Sequence, residues 1–202
     1  LIIIFIMVLI GIIGKKYSGK DTVADYLVTN HNFTKMAFAD PVKKITKELF
    51  NFNDEQLYGN LKETVDERWG ISPREAFQKI GTEFGQFGIH SYFPSMEKFG
   101  RNLWVERLFA EYNLNTKDTV ISDVRFKHEI DKIKKENGII IKIIRDSNYI
   151  DNHISENEID EEDCKIFYNN GTKDELYNYI EDFIYNLNIE ISNNEVTSQK
   201  YN

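Results

Sequence analysis

The chain has 202 residues, 41% hydrophobic and 29% charged, with 25 Lys+Arg against 33 Asp+Glu for a net charge of −8. That length and balance suit one sizeable core and exclude a long disordered chain. The acidic total argues against non-specific nucleic-acid binding, and the lone cysteine, Cys164, excludes an internal disulfide and fits a reducing, cytoplasmic compartment.

The opening run "LIIIFIMVLIGII" is 13 residues long, short of the roughly 18 needed to span a bilayer. No positive residue precedes it and no small-residue cleavage site follows, so neither a membrane anchor nor a signal peptide is expected. Residues 8–13 read as a buried parallel strand, Met7 as a candidate natural start, and Leu1 to Ile6 as an upstream extension. Next come a helix over 19–29, a strand over 33–38 and a helix over 41–50 opened by Pro41. Residues 51–72 are polar and broken. Ser72-Pro73-Arg74-Glu75 forms a capping box that opens a helix over 73–86, with Phe77, Ile80 and Phe84 toward the core. A helix over 102–112, a strand over 119–124, a helix over 126–137 ended by Gly138, and a strand over 139–144 follow. Residues 146–163 form a long acidic connection of the kind often used as a lid. A strand over 164–169 leads to a second capping box, Thr172 with Glu175, and to a last helix whose buried face is Leu176, Ile180, Phe183, Ile184 and Leu187. The expected organisation is a single domain over 1–189, and a flexible tail over 190–202. The alternation of strands and helices predicts an α/β fold with a central parallel sheet.

Gly14-x-x-x-x-Gly19-Lys20 follows the first strand and precedes the first helix, the setting of a phosphate-binding loop. Glycines let the backbone wrap and aim N–H groups at phosphate oxygens, and the helix start adds partial positive charge. Lys20 is a point charge for the β- and γ-phosphates. Asp21 stands where such loops usually carry the Ser or Thr that helps hold Mg²⁺. Asp21 itself, or the hydroxyl of Thr22, is the candidate replacement.

The stretch "GKKYSGKDTVADYL" resembles the opening of the deoxynucleoside monophosphate kinases of phages and large DNA viruses, and further similar segments follow in order: "FADPVKK" (38–44), "REAFQKIGTEFGQ" (74–86), "LWVERL" (103–108), "VISDVRFKHE" (120–129), "DNHISENEID" (151–160) and "NNGT" (169–172). The resemblance covers residues 8 to about 187. It implies a three-layer P-loop kinase fold of the adenylate kinase type with lid and acceptor-binding insertions, the lid over about 146–163 and the acceptor region over about 40–112. It also implies ATP as donor with Mg²⁺, and a deoxynucleotide as acceptor. Animal phosphomevalonate kinases share a similar loop and a Ser-Asp-x-Arg motif, so another small phosphate acceptor stays open. A non-catalytic nucleotide-binding regulator is the alternative from another class. Small nucleotides are the expected partners, without nucleic acid or membrane; a homodimer is left open.

The resemblance assigns Gly14, Lys15, Lys16, Ser18, Gly19, Lys20, Asp21 and Thr22 to ATP, with Asn169 and Asn170 near the donor base. Asp123 sits at the carboxyl end of a strand, where open parallel sheets place ligands. It is a candidate for Mg²⁺, beside Asp21 and Thr22, and for the acceptor. Arg125 would clamp phosphate with its planar fork. Arg74 and Gln78 lie one helical turn apart on a face suited to the acceptor. Asp40, Pro41 and Lys43 follow the second strand and border the same site by resemblance. Trp104 reads equally as core or as a base-stacking platform. Arg145 enters the lid and resembles a hinge arginine reaching ATP phosphates. Residues 146–163 contain no Lys or Arg, so the lid proper offers no cationic finger beyond His153. His153, Ser155 and Glu156 match the family pattern without an assigned role. The catalytic set is thus Lys20, Asp123, Arg125 and Arg145, with no protein nucleophile.

Overall fold

The computed structural model describes residues 7–146 and 164–199. The expected extension over 1–6, and all but the first residue of the expected lid with His153, Ser155 and Glu156, lie outside the described residues. Contacts group the chain into two compact units, Leu1–Lys35 with Thr116–Asn202, and Met36–Asn115.

The first unit is built on a sheet of five strands in the order β2-β3-β1-β4-β5. The strands are β1 (Leu9–Ile13), β2 (Thr34–Met36, whose last residue opens the second unit), β3 (Thr119–Ile121), β4 (Ile139–Ile144) and β5 (Lys165–Tyr168). β1 pairs in parallel with β3, Gly11 beside Ile121, and with β4, Ile12 beside Ile141; β4 pairs in parallel with β5, Ile143 beside Phe167. All five residues of β1 are buried. A strand covered on both faces needs no polar alternation, which is why its sequence reads as a continuous apolar run.

Alternate residues of the sheet face different layers. Ile10, Ile12, Val120, Ile141 and Ile143 form one core with Val23, Ala24 and Leu27 of α1 (Lys20–His31) and with Leu176, Ile180, Phe183, Ile184 and Leu187 of α8 (Lys173–Gln199). The apolar face expected for the last helix is the one buried. The helix itself continues past residue 190 to Gln199. Its start carries the complete capping box: Thr172 Oγ1 accepts from the Glu175 N–H at 3.2 Å, and Glu175 Oε2 from the Thr172 N–H at 2.7 Å.

On the opposite face α7 (Lys127–Lys135) buries Ile130 and Ile133. Gly11 makes that approach possible, since a Cβ there would stand 2.8 Å from Cδ1 of both Ile133 and Ile140. The end of α7 departs from expectation. Asn137 takes the left-handed conformation, φ 59°. The Asn137 N–H donates to Lys134 and the Gly138 N–H to Ile133, a Schellman closure with Gly138 one position later than expected. Gly138 is needed there for space, because a Cβ would lie 2.9 Å from both the Ile133 carbonyl and Leu9 Cγ.

The second unit holds α2 (Asp40–Phe50), α3 (Asp54–Leu57), a 3₁₀ turn (Asn60–Glu63), α4 (Pro73–Gln78), a π-helical segment (Lys79–Gly88), α5 (Ile89–Tyr92), a 3₁₀ stretch (Pro94–Asn102) and α6 (Leu103–Tyr112). Ser72 caps α4 by accepting from the Glu75 N–H at 3.1 Å. The helix expected over 73–86 is therefore two segments of different pitch. In π geometry each N–H reaches five residues back, so a period of 3.6 loses phase. Phe84, expected in the core, is exposed, while Gly85 and Gln86 are buried in its stead. The cause is Trp104. Its indole N–H donates to the Gly81 carbonyl at 2.7 Å. Its ring occupies the space a Cβ on Gly85 would need, 2.5 Å from Cζ2.

A polar knot closes the loop after α3. Asp66 accepts from Gln56 at 2.7 Å and from Arg68 Nη2 and Nε at 2.6 and 2.9 Å. The Arg68 guanidinium, with the Gln56 amide second, holds the Asp66 carboxyl well below the usual carboxylate range. A depressed folded-state pKa contributes stability that is fully present above the unfolded value, about 3.9, and is lost as pH falls toward the folded one. Asp66→Asn should lower the urea midpoint at pH 7, and the gap to wild type should shrink as pH falls below about 4. A gap constant across the acid range would show that the carboxylate charge adds nothing.

Candidate active site

Because β1, β3, β4 and β5 run parallel, their carboxyl ends share one edge of the sheet. The segments that leave this edge are Gly14–Gly19, Ser122–Phe126, Arg145–Asp146 and Asn169–Thr172. Every site residue expected in this unit lies on one of them or on the first turn of α1.

The loop after β1 has the shape that a phosphate demands. A Cβ on Gly14 would run into Ser18 Oγ and stand 2.9 Å from the Ile143 carbonyl. Tyr17 and Gly19 adopt positive φ, 68° and 100°, and the Ser18 N–H closes a turn onto the Lys15 carbonyl at 3.0 Å. No side chain caps α1, whose N-cap is Gly19, so its first-turn N–H groups keep their capacity for an anion. Ser18 Oγ is buried and has no hydrogen-bond partner among the described residues. An orphaned polar atom beside two glycines that cannot carry a Cβ fits a loop completed by a polar ligand.

Lys20 and Asp21 open α1. Lys20 Nζ lies 3.4 Å from one Asp21 oxygen and Lys35 Nζ 3.8 Å from the other. Lys35 also bonds Asp25 at 2.8 Å. The Asp21 carboxylate is thus exposed and turned toward two ammonium groups. Thr22 lines a cleft of about 250 Å³ together with Gly19, Arg145, Asn169, Gly171, Lys173 and Leu176. Gly171 belongs to the "NNGT" stretch already singled out, whereas Lys173 is not among the expected site residues. Lys173 did carry a signal, since a cation in a first helical turn is electrostatically unfavourable unless something anionic answers it.

Asn169 and Asn170 do different things. Asn169 is buried, and its side-chain amide donates to the Ser18 carbonyl at 2.7 Å, lying where a Gly19 Cβ would be. Its own N–H donates to the Ile144 carbonyl at 2.7 Å. Asn170 exchanges two hydrogen bonds with Asp146, accepting from its N–H at 2.8 Å and donating to Oδ2 at 2.6 Å. The first residue bolts the phosphate loop to the end of β5. The second bolts the base of the acidic connection.

After β3, Asp123 is half-buried and Arg125 exposed. Glu129 of α7 is buried, and its Oε2 accepts from the N–H groups of both Arg125 and Phe126, at 2.6 and 3.0 Å. Burial first, and the Asp123 charge second, push the Glu129 carboxyl up to about 8. Glu129 is not among the site residues expected from sequence. Its only signal was a glutamate three residues into a helix that lacks a Ser, Thr, Asp or Asn before it.

In the second unit Lys43 and Asp40 lie 3.8 Å apart. Arg74 is paired with Glu63 at 3.0 Å, Gln78 is exposed, and Trp104 is committed through its indole N–H to Gly81.

The family model described as deoxynucleotide monophosphate kinase matches residues 8–75 and 95–180. The chain belongs to the deoxynucleotide monophosphate kinase family. It is therefore a phosphotransferase acting on small nucleotides. A protein of Acanthamoeba polyphaga mimivirus, provisionally named a deoxynucleotide monophosphate kinase, is 41% identical over 186 residues, covering 86% of this chain and 94% of its own. The solved structure of TT1252 from Thermus thermophilus superposes with a TM-score of 0.50 at 16% identity, over 90% of this chain and 98% of that one. The kinase fold is the expected three-layer α/β arrangement with a central parallel sheet. Lys20, Arg74, Trp104, Asp123, Arg125, Arg145, Asn169 and Asn170 fall inside the matched segments, and Gln78 falls in the stretch between them. Among the described residues no helix of this kinase is long and apolar enough to cross a membrane.

The Asn169 bolt yields a direct test. Asn169→Leu removes the donor to Ser18 while filling the volume. We expect weaker nucleotide binding with a loss of about 1–3 kcal/mol in stability, the cost of leaving a buried carbonyl unpaired. Titration with a fluorescent nucleotide and a denaturant melt measure the two effects. Unchanged affinity would leave the bond without a part in shaping the loop.

Proposed function

We propose that this kinase transfers the γ-phosphoryl group of ATP to a deoxynucleoside 5′-monophosphate, giving ADP and the deoxynucleoside diphosphate. The observation that carries the reading is the phosphate loop: two glycines without room for a Cβ, an uncapped helix start and Lys20, in a chain of this family. In the reaction a phosphate oxygen of the acceptor forms a bond to the γ-phosphorus, and the bond from γ-phosphorus to the β,γ-bridging oxygen breaks. Such a transfer asks the protein for alignment and charge neutralisation and for no covalent intermediate.

Each residue then has a task. Backbone N–H groups of residues 15–20 and the Lys20 ammonium neutralise the donor phosphates, with Lys15, Lys16 and Ser18 forming the wall of the loop. Arg125 and Arg145 add planar cations where charge develops on the transferred group. The donor base lies toward the cleft bordered by Thr22, Gly171 and Lys173, beside Asn169 and Asn170. Asp40, Lys43, Arg74 and Gln78 bind the acceptor, and Trp104 serves them by holding the π segment in shape.

Mg²⁺ fits this residue set. The ion usually keeps several waters and takes one or two carboxylates plus substrate phosphates. The described residues contain no group of three or more candidate ligands close together. Exposed Asp21, the Thr22 hydroxyl and Asp123 match the sparser requirement. The ion would neutralise phosphate charge, and the Asp21 carboxylate is already turned toward the ammonium groups of Lys20 and Lys35. A viral origin and a place in the host cytoplasm, where deoxynucleotides are made for genome copying, accord with this reading.

An ATP-coupled assay over the four deoxynucleoside monophosphates, with phosphomevalonate as a fifth acceptor, tests the proposal. At least one deoxynucleotide should be turned over; activity on phosphomevalonate alone would replace the acceptor class, and binding of ATP without turnover of any acceptor would make the protein a sensor. Lys20→Ala should lower turnover by about two to three orders of magnitude with the melting profile intact. Arg74→Ala should raise the KM for the acceptor far more than that for ATP. For Asp21→Asn, the Mg²⁺ concentration at half-maximal rate should rise; an unchanged value would confine Asp21 to a favourable first-turn charge.

A further inference from the structure

We infer that Glu129 is the positioning residue for Arg125, a carboxyl group that fixes the backbone of the Ser122–Phe126 segment and so aims the guanidinium at the transferred phosphate. The inference rests on the reaction proposed above for the role of Arg125, and on geometry alone for the role of Glu129.

Three observations carry it. First, one oxygen of Glu129 accepts from two successive backbone N–H groups, at 2.6 and 3.0 Å, and those groups belong to Arg125 and Phe126. Two bonds to adjacent peptide planes fix the direction in which the Arg125 Cα–Cβ bond leaves the chain. Second, the Arg125 side chain is exposed while Glu129 is buried. The order of this segment thus comes from beneath, from the sheet side of α7, and leaves the guanidinium face open to a ligand. Third, the neighbours of Glu129 are closely packed. It lies between Arg125 and the fully buried Ile130 and Ile133 of α7, and Phe126 stacks on His128 with ring centroids 5.4 Å apart. A side chain so placed has few alternative rotamers.

One oxygen as acceptor is all that the two N–H groups require. Glutamine supplies the same acceptor at the same reach. Alanine supplies none, and aspartate falls one methylene short. Loose Arg125 placement is costly because a misplacement of about 1 Å can lower a rate 100-fold.

The experiment compares Glu129→Gln, Glu129→Ala, Glu129→Asp, Arg125→Ala and the double variant Glu129→Ala/Arg125→Ala. It reads residue-resolved amide exchange, ATP affinity by nucleotide titration, and kcat and KM for the best acceptor. Glu129→Gln should keep the Arg125 and Phe126 amides protected and retain most of kcat. Glu129→Ala should speed exchange at those two amides by about tenfold or more and lower kcat by about 100-fold, with ATP affinity unchanged. The double variant should be no slower than Arg125→Ala alone, because a positioning residue has nothing left to position. If the alanine variant does not fold, Glu129→Asp gives the same two readouts. Protected amides in Glu129→Ala or Glu129→Asp, wild-type kcat in either, or losses that multiply in the double variant would each overturn the assignment. Should the unmodified protein phosphorylate no deoxynucleotide, the reaction is wrong, and amide exchange still decides whether Glu129 orders the segment.

Discussion

Strand β1 is enclosed on all sides. Parallel neighbours flank it at both edges, α1 and α8 cover one face, and α7 covers the other. All five of its residues are buried, and the phosphate loop hangs from its end. That loop depends on enclosure in a concrete way. It has a positive φ at Tyr17, which costs free energy in a free chain, and an uncapped helix start. The core on either side of β1 offsets that cost. Its members are large aliphatic residues buried almost completely, each worth about 1.5–3 kcal/mol of transfer free energy.

The loop is also held from its far end. β5 is a short strand, but the residue that follows it, Asn169, reaches the Ser18 carbonyl at 2.7 Å. Gly19 is without a side chain partly so that this amide can come close. The glycine thus answers two demands at once, left-handed backbone and contact with a neighbouring amide. Any substitution there meets both. Such double use explains how a loop of few atoms can be rigid before a ligand arrives, which lowers the entropy that binding must overcome.

Much of this was legible in the sequence, and the boundary of legibility is physical. Buried parallel strands announce themselves because both faces are apolar, so the continuous apolar runs 8–13 and 139–144 mark β1 to within one residue and β4 in full. The N-caps at Ser72 and Thr172 were legible because each is a local bond over three residues, but the full capping box forms only at Thr172; at Ser72 the return bond from Glu75 is not made. The core face of the last helix followed from a period of 3.6. That same period failed after Gln78, because the pitch there is set by Trp104, a residue some twenty positions away that packs on Gly85 and bonds Gly81. Periodicity reads only what the local backbone decides. The stop at Asn137 was missed by one residue since two positions, one requiring φ and the other requiring space, compete for a single glycine. Glu129 was invisible for a different reason. Its environment is made by the fold, and no neighbour in sequence discloses that it is buried.

The distribution of charge shows what an acidic protein must do to receive an anion. The chain as a whole carries −8, yet Lys15, Lys16, Lys20, Lys35, Arg125 and Arg145 all lie on or beside the edge where the parallel strands end. Asp21 sits among them with an ammonium at each oxygen, so the carboxylate is already partly neutralised before any metal or phosphate is present. Asp123 and Glu129 divide the labour differently. Placing two carboxyls near each other under partial burial cannot leave both ionised cheaply. The more buried one, Glu129, is pushed toward its neutral form by burial first and the Asp123 charge second and accepts from two backbone N–H groups, while Asp123 is only half-buried. Burial, rather than residue type, is what sets these two acidic residues apart.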